Sequence, residues 1–353
     1  MTTLTRYGAS RNDIEVLLAS WGEPAYRARQ AWEGLWVQRE PLEQITTLSR
    51  DLRARLAEAL PLTLDVATER SADRGKTMKW LWRCADGAQI ETVLMRYPQR
   101  ATVCISSQAG CAMGCTFCAT GQAGFERHLR TDEILEQVLR AAHASPQRVA
   151  NVVFMGMGEP LANVDPVLES ITRLHQDLGL SARHITVSTV GIVPGMQRLT
   201  KFPLPVTLAV SLHAPDDNLR NDLVPVNKRY PLADVINAAR TYAATKGRRV
   251  SFEYACIAGV NDHPDQAEAL ARRLQDFPAG AHVNLIPLNP TSAYRGTTPP
   301  VIRLRTFAER LTERGVNATV RRNRGVEIDA ACGQLRAREA VLEPTGSSAT
   351  MKP

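Results

Sequence analysis

The sequence has no apolar run long enough to cross a membrane, which as a helix takes about 20 consecutive residues. Its first residues, Met1-Thr2-Thr3-Leu4-Thr5-Arg6, lack the apolar core of a secretory signal. Cysteine is scarce, seven in 353 residues, and is not spread as the framework of a disulfide-stapled secreted domain. Internal repeats and low-complexity tracts are missing as well. The expectation is a cytoplasmic protein in a reducing compartment, without a membrane partner. What remains suits a folded enzyme. A hydrophobic share of 44% fills a core, and 353 residues suit two domains or one large α/β barrel with appendages. A net charge of +7 is compatible with a polyanionic partner such as RNA, though many proteins without one are as basic.

Scarcity makes one stretch conspicuous. Cys111-Ala112-Met113-Gly114-Cys115-Thr116-Phe117-Cys118 places three of the seven cysteines within eight residues, directly after a β-rich run. Soft thiolates favour zinc, copper(I) or iron–sulfur clusters. A structural zinc site wants four closed ligands, and neither a second C-x2-C pair nor a histidine at finger spacing is near. A [4Fe–4S] cluster takes four ligands, so three local cysteines leave one iron open to a small molecule.

The first 70 residues read as a helical module. Ser10 and Asp13 form a capping pattern ahead of Ile14, Leu17, Leu18 and Trp21; a second helix is expected over 26–38 and a third over 52–60. Tyr26-Arg27-Ala28-Arg29-Gln30 sets cations beside an aromatic ring, which suits an RNA contact or a solvated face equally. Residues 71–98 form a β-hairpin extension, with strands over 77–82 and 90–95 and an Asp86-Gly87 turn. Its second strand carries Glu91 among apolar neighbours; an exposed strand glutamate is the default reading, while a half-buried one with a raised pKa could handle protons.

From 99 to 330 strands and helices alternate. Strands are expected over 102–106, 151–154, 185–188, 206–212, 250–254 and 282–286, with 317–320 as an edge. Helices fall near 131–143, 164–178, 232–246, 264–276 and 301–314. The pattern implies a parallel sheet with right-handed crossovers, six core strands rather than the eight of a full barrel. Beyond it, 331–353 is a Gly-containing, flexible segment holding Cys332 and then a disordered tail over 342–353.

Ligands of parallel α/β folds gather at the carboxyl ends of the strands. Each tip here carries a hydrogen-bonding side chain beside Gly or Pro: Gly156-Met157-Gly158-Glu159-Pro160, Ser188-Thr189-Val190-Gly191, Ser211-Leu212-His213-Ala214-Pro215 and Leu288-Asn289-Pro290. The glycines allow a ligand close to the backbone, and Glu159 offers an acceptor for an amino group. Together the tips describe a polar ligand beside a cluster.

Cys-x3-Cys-x2-Cys at the end of the first barrel strand, with the Gly-Glu turn after the second, resembles the radical S-adenosylmethionine (SAM) superfamily. The strings Ser107-Gln108-Ala109-Gly110-Cys111, Gly156-Met157-Gly158-Glu159-Pro160-Leu161, Ser211-Leu212-His213-Ala214 and Cys332-Gly333-Gln334-Leu335 sharpen this to a resemblance to the RlmN/Cfr family of RNA adenine methyltransferases. That resemblance implies a partial (β/α)6 barrel with a small N-terminal helical accessory domain, acting as a monomer. It implies one [4Fe–4S] cluster on Cys111, Cys115 and Cys118, with SAM on the open iron and lined by Gly158, Glu159, Ser188, Ser211, Leu212, His213 and Asn289. Two SAM molecules serve each turnover. Cys332 would carry the methyl group, Cys104 would resolve the intermediate through a disulfide with it, and Glu91 would accept a proton. The implied substrates are an adenosine of 23S rRNA in the peptidyl-transferase centre and the adenosine 3′ of the anticodon in tRNAs, methylated at C2. The implied electron donor is a flavodoxin or ferredoxin. Two alternatives stay open: C8 methylation of the Cfr kind, which gives ribosomal antibiotic resistance, and an RNA-binding iron–sulfur electron carrier or sensor. No role falls to Cys84 or Cys256, which read as buried apolar thiols. Arg321-Arg322-Asn323-Arg324 suits guidance of RNA phosphates as well as it suits a solvated loop.

Overall fold

The computed structural model describes residues 4–289, 291, 293–321 and 324–335. Three helices open the chain, α1 (Arg11–Ser20), α2 (Ala25–Trp32) and α3 (Arg50–Ala59). The cap on α1 is reciprocal: Asp13 N donates to Ser10 Oγ at 3.1 Å and Ser10 N to Asp13 Oδ2 at 2.8 Å. The second helix does not continue as α to Gln38, because the chain widens into a π-helical turn over Glu33–Gln38. Arg27 lies over the Tyr26 ring at 4.9 Å and donates to Gln30 Oε1 and Thr47 O. The cation beside that ring is therefore tied within the helical module.

An antiparallel meander follows, β1 (Leu64–Ala72), β2 (Thr77–Cys84) and β3 (Gln89–Arg96), and β3 pairs antiparallel with β4 (Ala101–Cys104). A short ribbon of β5 (Gln108–Gly110) and β6 (Phe125–His128) brackets α4 (Ala119–Ala123). Then come α5 (Thr131–His143), β7 (Val149–Phe154), α6 (Val164–Gln176), β8 (Ile185–Thr189), α7 (Val193–Lys201), β9 (Thr207–Ser211), α8 (Asp217–Leu223) and α9 (Leu232–Lys246). The described elements of the barrel end with β10 (Val250–Cys256), α10 (Pro264–Leu274), β11 (Ala281–Pro287), α11 (Val301–Glu313) and β12 (Asn317–Val320).

The main sheet runs β1-β2-β3-β4-β7-β8-β9-β10-β11-β12, parallel from β4 onward. This is a partial (β/α)6 barrel extended by an antiparallel edge. Its central strands are buried almost throughout, as expected where helices cover a parallel sheet. One hydrophobic cluster joins the barrel to the N-terminal helices, from Ile14 and Trp36 to Val187 and Phe252. Arg173 of α6 fastens the two: its guanidinium sits over Trp36 at 4.6 Å and donates to the carbonyls of Tyr7, Gly8 and Ala9.

In-register neighbours of a parallel sheet point to the same face. Ser211 of β9 stands beside Glu253 of β10, and Glu253 beside Asn284 of β11, so these three form one polar row. No helix among the described residues is long and apolar enough to span a membrane.

Candidate active site

Chain geometry sets the cysteine loop. Gly110 adopts φ +72°, and a Cβ there would run into the Gly124 carbonyl, which accepts Cys111 N at 2.7 Å. Cys115 packs with Phe117, Leu223, Val224, Ala255, Ile257 and Leu288 in a second apolar cluster. Burial pushes the Cys111 thiol up to about 12, and neighbouring Cys118 and Glu159 oppose its ionisation too. Cys115 is raised in the same way, with Cys118 and Cys111 adding to it. The three thiols thus lie within electrostatic reach of one another. No three His, Cys, Asp or Glu side chains among the described residues converge tightly enough for a single metal ion. Three thiols in an apolar shell fit a [4Fe–4S] cluster, which Cys111, Cys115 and Cys118 would hold.

Beside the loop opens a cleft with about 950 Å³ of atom-free space, partly continuous with solvent. Cys115, Cys118, Gly158, Glu159, Ser188, Ser211, His213, Asn289 and Cys332 all line it. The tip glycines have a reason other than ligand approach. A Cβ on Gly156 would stand 2.6 Å from the Ile105 carbonyl, and one on Gly158 (φ +100°) 2.6 Å from Gln108 Cβ. They pack the β7 tip onto the segment after β4, leaving the opposite backbone face toward the cleft. Glu159 is buried, and its oxygens accept Leu161 N and Val190 N, both at 2.9 Å. Burial raises its pKa to about 7 against those hydrogen bonds. His213 has φ +62° and is held near pKa 3 by burial and Arg220. Its Nδ1 accepts Ala255 N at 2.9 Å, so the neutral ring carries its proton on Nε2. Leu212 stands apart. It is 1% exposed within the main core, and its N–H donates to Glu253 O, so it supports the tip instead of lining the cleft.

Cys332 sits where this cleft meets a second cavity, lined also by Val93, Met95, Tyr97, Cys104 and Arg324. The segment is anchored, contrary to the flexible one expected. Asn289 Nδ2 donates to Cys332 O at 2.9 Å, Ala119 N to Gly333 O at 2.8 Å, and Thr120 Oγ1 to Leu335 O at 2.5 Å. Three hydrogen bonds therefore sew it to the cysteine loop and the β11 tip. Solvent reaches Cys332 through the cleft, yet surrounding protein raises its pKa, and Cys118 and Glu253 add to that while Arg321 opposes it. Cys104 is raised to about 12 by burial and by Cys332, again against Arg321. The expected disulfide between the two is a correction: all seven cysteines are free. Its physical reason is burial, which favours the neutral thiol over the thiolate at both positions.

Sequence reasoning missed Arg321 as an active-site cation. It lines both cavities, whereas Arg324 of the same run lies over Tyr97 at 4.3 Å and donates to Arg96 O. Arg322 and Asn323 lie outside the described residues, as does the tail over 342–353. Glu253 was missed too. It is buried, accepts from Ser251 Oγ (2.7 Å) and Asn284 Nδ2 (2.8 Å), and has a raised pKa caused chiefly by burial. Its place in a polar row facing the lumen was the available signal.

Glu91 is 2% exposed and faces Lys79 Nζ at 2.9 Å in a buried ion pair. It shares a strand face with Val93 and Met95, which line the second cavity. An exposed or half-buried glutamate was the expectation; the structure buries the carboxylate fully and supplies a cation from β2. Cys84 and Cys256 are buried, as expected of apolar thiols.

The Radical SAM superfamily model matches residues 105–272. The chain is 52% identical over 360 residues to the probable dual-specificity RNA methyltransferase RlmN of Parafrankia sp. (strain EAN1pec), covering 96% of this chain and 92% of that protein. It is 51% identical over 350 residues to the probable RlmN of Chloroflexus aurantiacus, covering 95% and 93%. The crystal structure of a radical SAM methyltransferase from Sphaerobacter thermophilus superposes with a TM-score of 0.89 at 47% identity, covering 95% of this chain and all of that one. With the cysteine loop, the strand-tip cleft and Cys332 on one barrel, the chain belongs to the RlmN family of radical SAM RNA methyltransferases.

Proposed function

We propose that this methyltransferase modifies C2 of adenosine, in the peptidyl-transferase centre of 23S rRNA and 3′ of the anticodon in tRNAs, through a methyl group carried on Cys332. The observation that carries the reading is the position of Cys332 on the border of two cavities, the cysteine-loop cleft on one side and the Cys104 cavity on the other. Cys111, Cys115 and Cys118 would hold a [4Fe–4S] cluster. Gly158, Glu159, Ser188, Ser211, His213 and Asn289 would line SAM. Bound there, cluster and SAM supply one-electron reduction and radical hydrogen abstraction.

Adenine C2 is electron-poor and has no acidic proton, so direct attack on a sulfonium methyl stalls. A protein thiol that first takes the methyl group by displacement avoids this limit. Cys332 fits that role because Asn289, Ala119 and Thr120 fix its segment beside the cleft. Arg321 favours the thiolate of both Cys332 and Cys104 against the burial that opposes it. Glu91, on the strand face shared with the second cavity, accepts the C2 proton, and Lys79 holds it in place.

Nucleoside mass spectrometry of rRNA and tRNA treated with the loaded enzyme, SAM and a reductant tests the reading. The expected product is 2-methyladenosine; 8-methyladenosine alone would contradict it.

A further inference from the structure

Helix α8 is built against the cysteine loop. Asp216 caps it by accepting Leu219 N at 3.0 Å, and its last residue, Leu223, accepts Thr116 N at 3.1 Å through its carbonyl. Leu223 and Val224 share the apolar cluster of Cys115 and Phe117. The helix therefore cannot move without moving the loop.

Arg220 projects from this helix into the interior and is 0% exposed. Nε donates to Leu212 O at 3.0 Å, Nη2 to Val190 O at 2.6 Å and Ser211 O at 3.1 Å, and Nη1 to Asn227 Oδ1 at 2.6 Å. All four acceptors are neutral. Among the described residues Arg220 forms no ion pair, although burying a cation costs several kcal/mol unless an opposite charge compensates it. Burial lowers its pKa only to about 10, so it stays charged at neutral pH. Asp217, whose charge also reaches Arg220, has Oδ1 engaged by Asn227 Nδ2 (2.8 Å) and Leu232 N (2.7 Å). The stronger influence on Arg220, after burial, is Cys115.

We infer that Arg220 is the buried counter-cation of the iron–sulfur cluster and sets how readily the cluster accepts its electron. The inference rests on the cluster reading of Cys111, Cys115 and Cys118. Three thiolates around a cubane of charge +2 leave a net charge of −1, and one added electron makes it −2. A fixed cation nearby in a poorly polarisable interior stabilises the second state more than the first. Arg220 therefore raises the reduction potential. Its hydrogen bonds to the β8 and β9 tips keep that charge in place, which makes it a positioning residue for the electron-transfer step.

The test reconstitutes the full chain anaerobically with iron and sulfide, as wild type, Arg220→Lys and Arg220→Met. Midpoint potentials are read by redox titration with electron paramagnetic resonance, without RNA. The lysine variant is expected near the wild-type potential and the methionine variant shifted to a more negative one. A methionine variant that fails to load cluster while the lysine variant loads at the wild-type potential supports the same counter-charge. An unchanged potential in Arg220→Met overturns the inference. So does an equal shift in both variants, or loss of the cluster from both, since each makes Arg220 a structural clamp only. A wild-type chain that binds no cluster instead removes the underlying reading.

Discussion

Glu159, His213 and Arg220 at the strand-tip cleft are held mainly by the main chain, whereas Glu91 at the antiparallel edge, like Glu253 on the lumen row, faces side chains. In the cleft, Glu159 accepts two backbone N–H groups, His213 accepts a third, and Arg220 donates to three carbonyls. At the edge, Glu91 faces the side chain of Lys79 across the β2–β3 pair. Charges held by the main chain are as rigid as the barrel, which suits residues that position a cofactor. Glu91 faces a buried ammonium that also donates to Asp329 O at 3.2 Å, an ion-pair partner it can exchange for a proton, which suits the proposed acceptor. The difference fits the proposal of positioning in the cleft and proton movement at the edge.

Replacing Glu91 is the sharpest way to break that contrast. Glu91→Gln keeps the shape and removes the base, and turnover should fall by about 10³-fold, while methyl transfer to Cys332 continues. Single-turnover assays and peptide masses separate the two steps; equal loss in both would erase the distinction. Next in size, Lys79→Met takes away the ammonium that the buried carboxylate faces. Urea unfolding should show a loss of about 3 kcal/mol, against much less for an exposed pair such as Arg11–Glu15.

The smallest effect is a matter of pH. His143, on α5 beneath the edge, is lowered from its ordinary 6.5 to about 4 by burial, with Arg140 and Arg6 adding to it. Between those values the unfolded chain binds a proton that the folded chain does not, so stability falls as pH drops from 6.5 towards 4 and levels off below. The loss is about 3 kcal/mol at most, spread over that range, and His143→Gln should flatten that part of the unfolding curve. An unchanged slope would remove His143 from the account.

The same division decided what the sequence made legible. The parallel strands stand out by β-branched and aromatic residues, as a run over 151–154 and as alternation over 185–188 (Ile-Thr-Val-Ser) and 250–254 (Val-Ser-Phe-Glu-Tyr), and their tips mark the cleft by position alone. Local signals also marked Cys111, Cys115 and Cys118. By contrast β1 buries fully only Leu64 and Ala72, so its sequence, Leu-Asp-Val-Ala-Thr-Glu-Arg-Ser-Ala, carries no alternation to read. Helices α7 and α8 are short, nine and seven residues, and α8 begins two residues after the Ser211–Pro215 strand tip. Lys79 and Arg321 gain their importance from partners far along the chain, Glu91 across a hairpin and Cys104 across the barrel. Such pairings exist only after folding.

The central claim is that Cys332 carries the methyl group between the two cavities. Incubating the reconstituted enzyme with methyl-labelled SAM, followed by tryptic digestion, isolates the peptide 325–336, whose only cysteine is Cys332. That peptide is predicted to gain one labelled methyl group, which then passes to RNA under reducing conditions. A label absent from the peptide, or found on Cys104 instead, while the RNA is still methylated, would contradict the account.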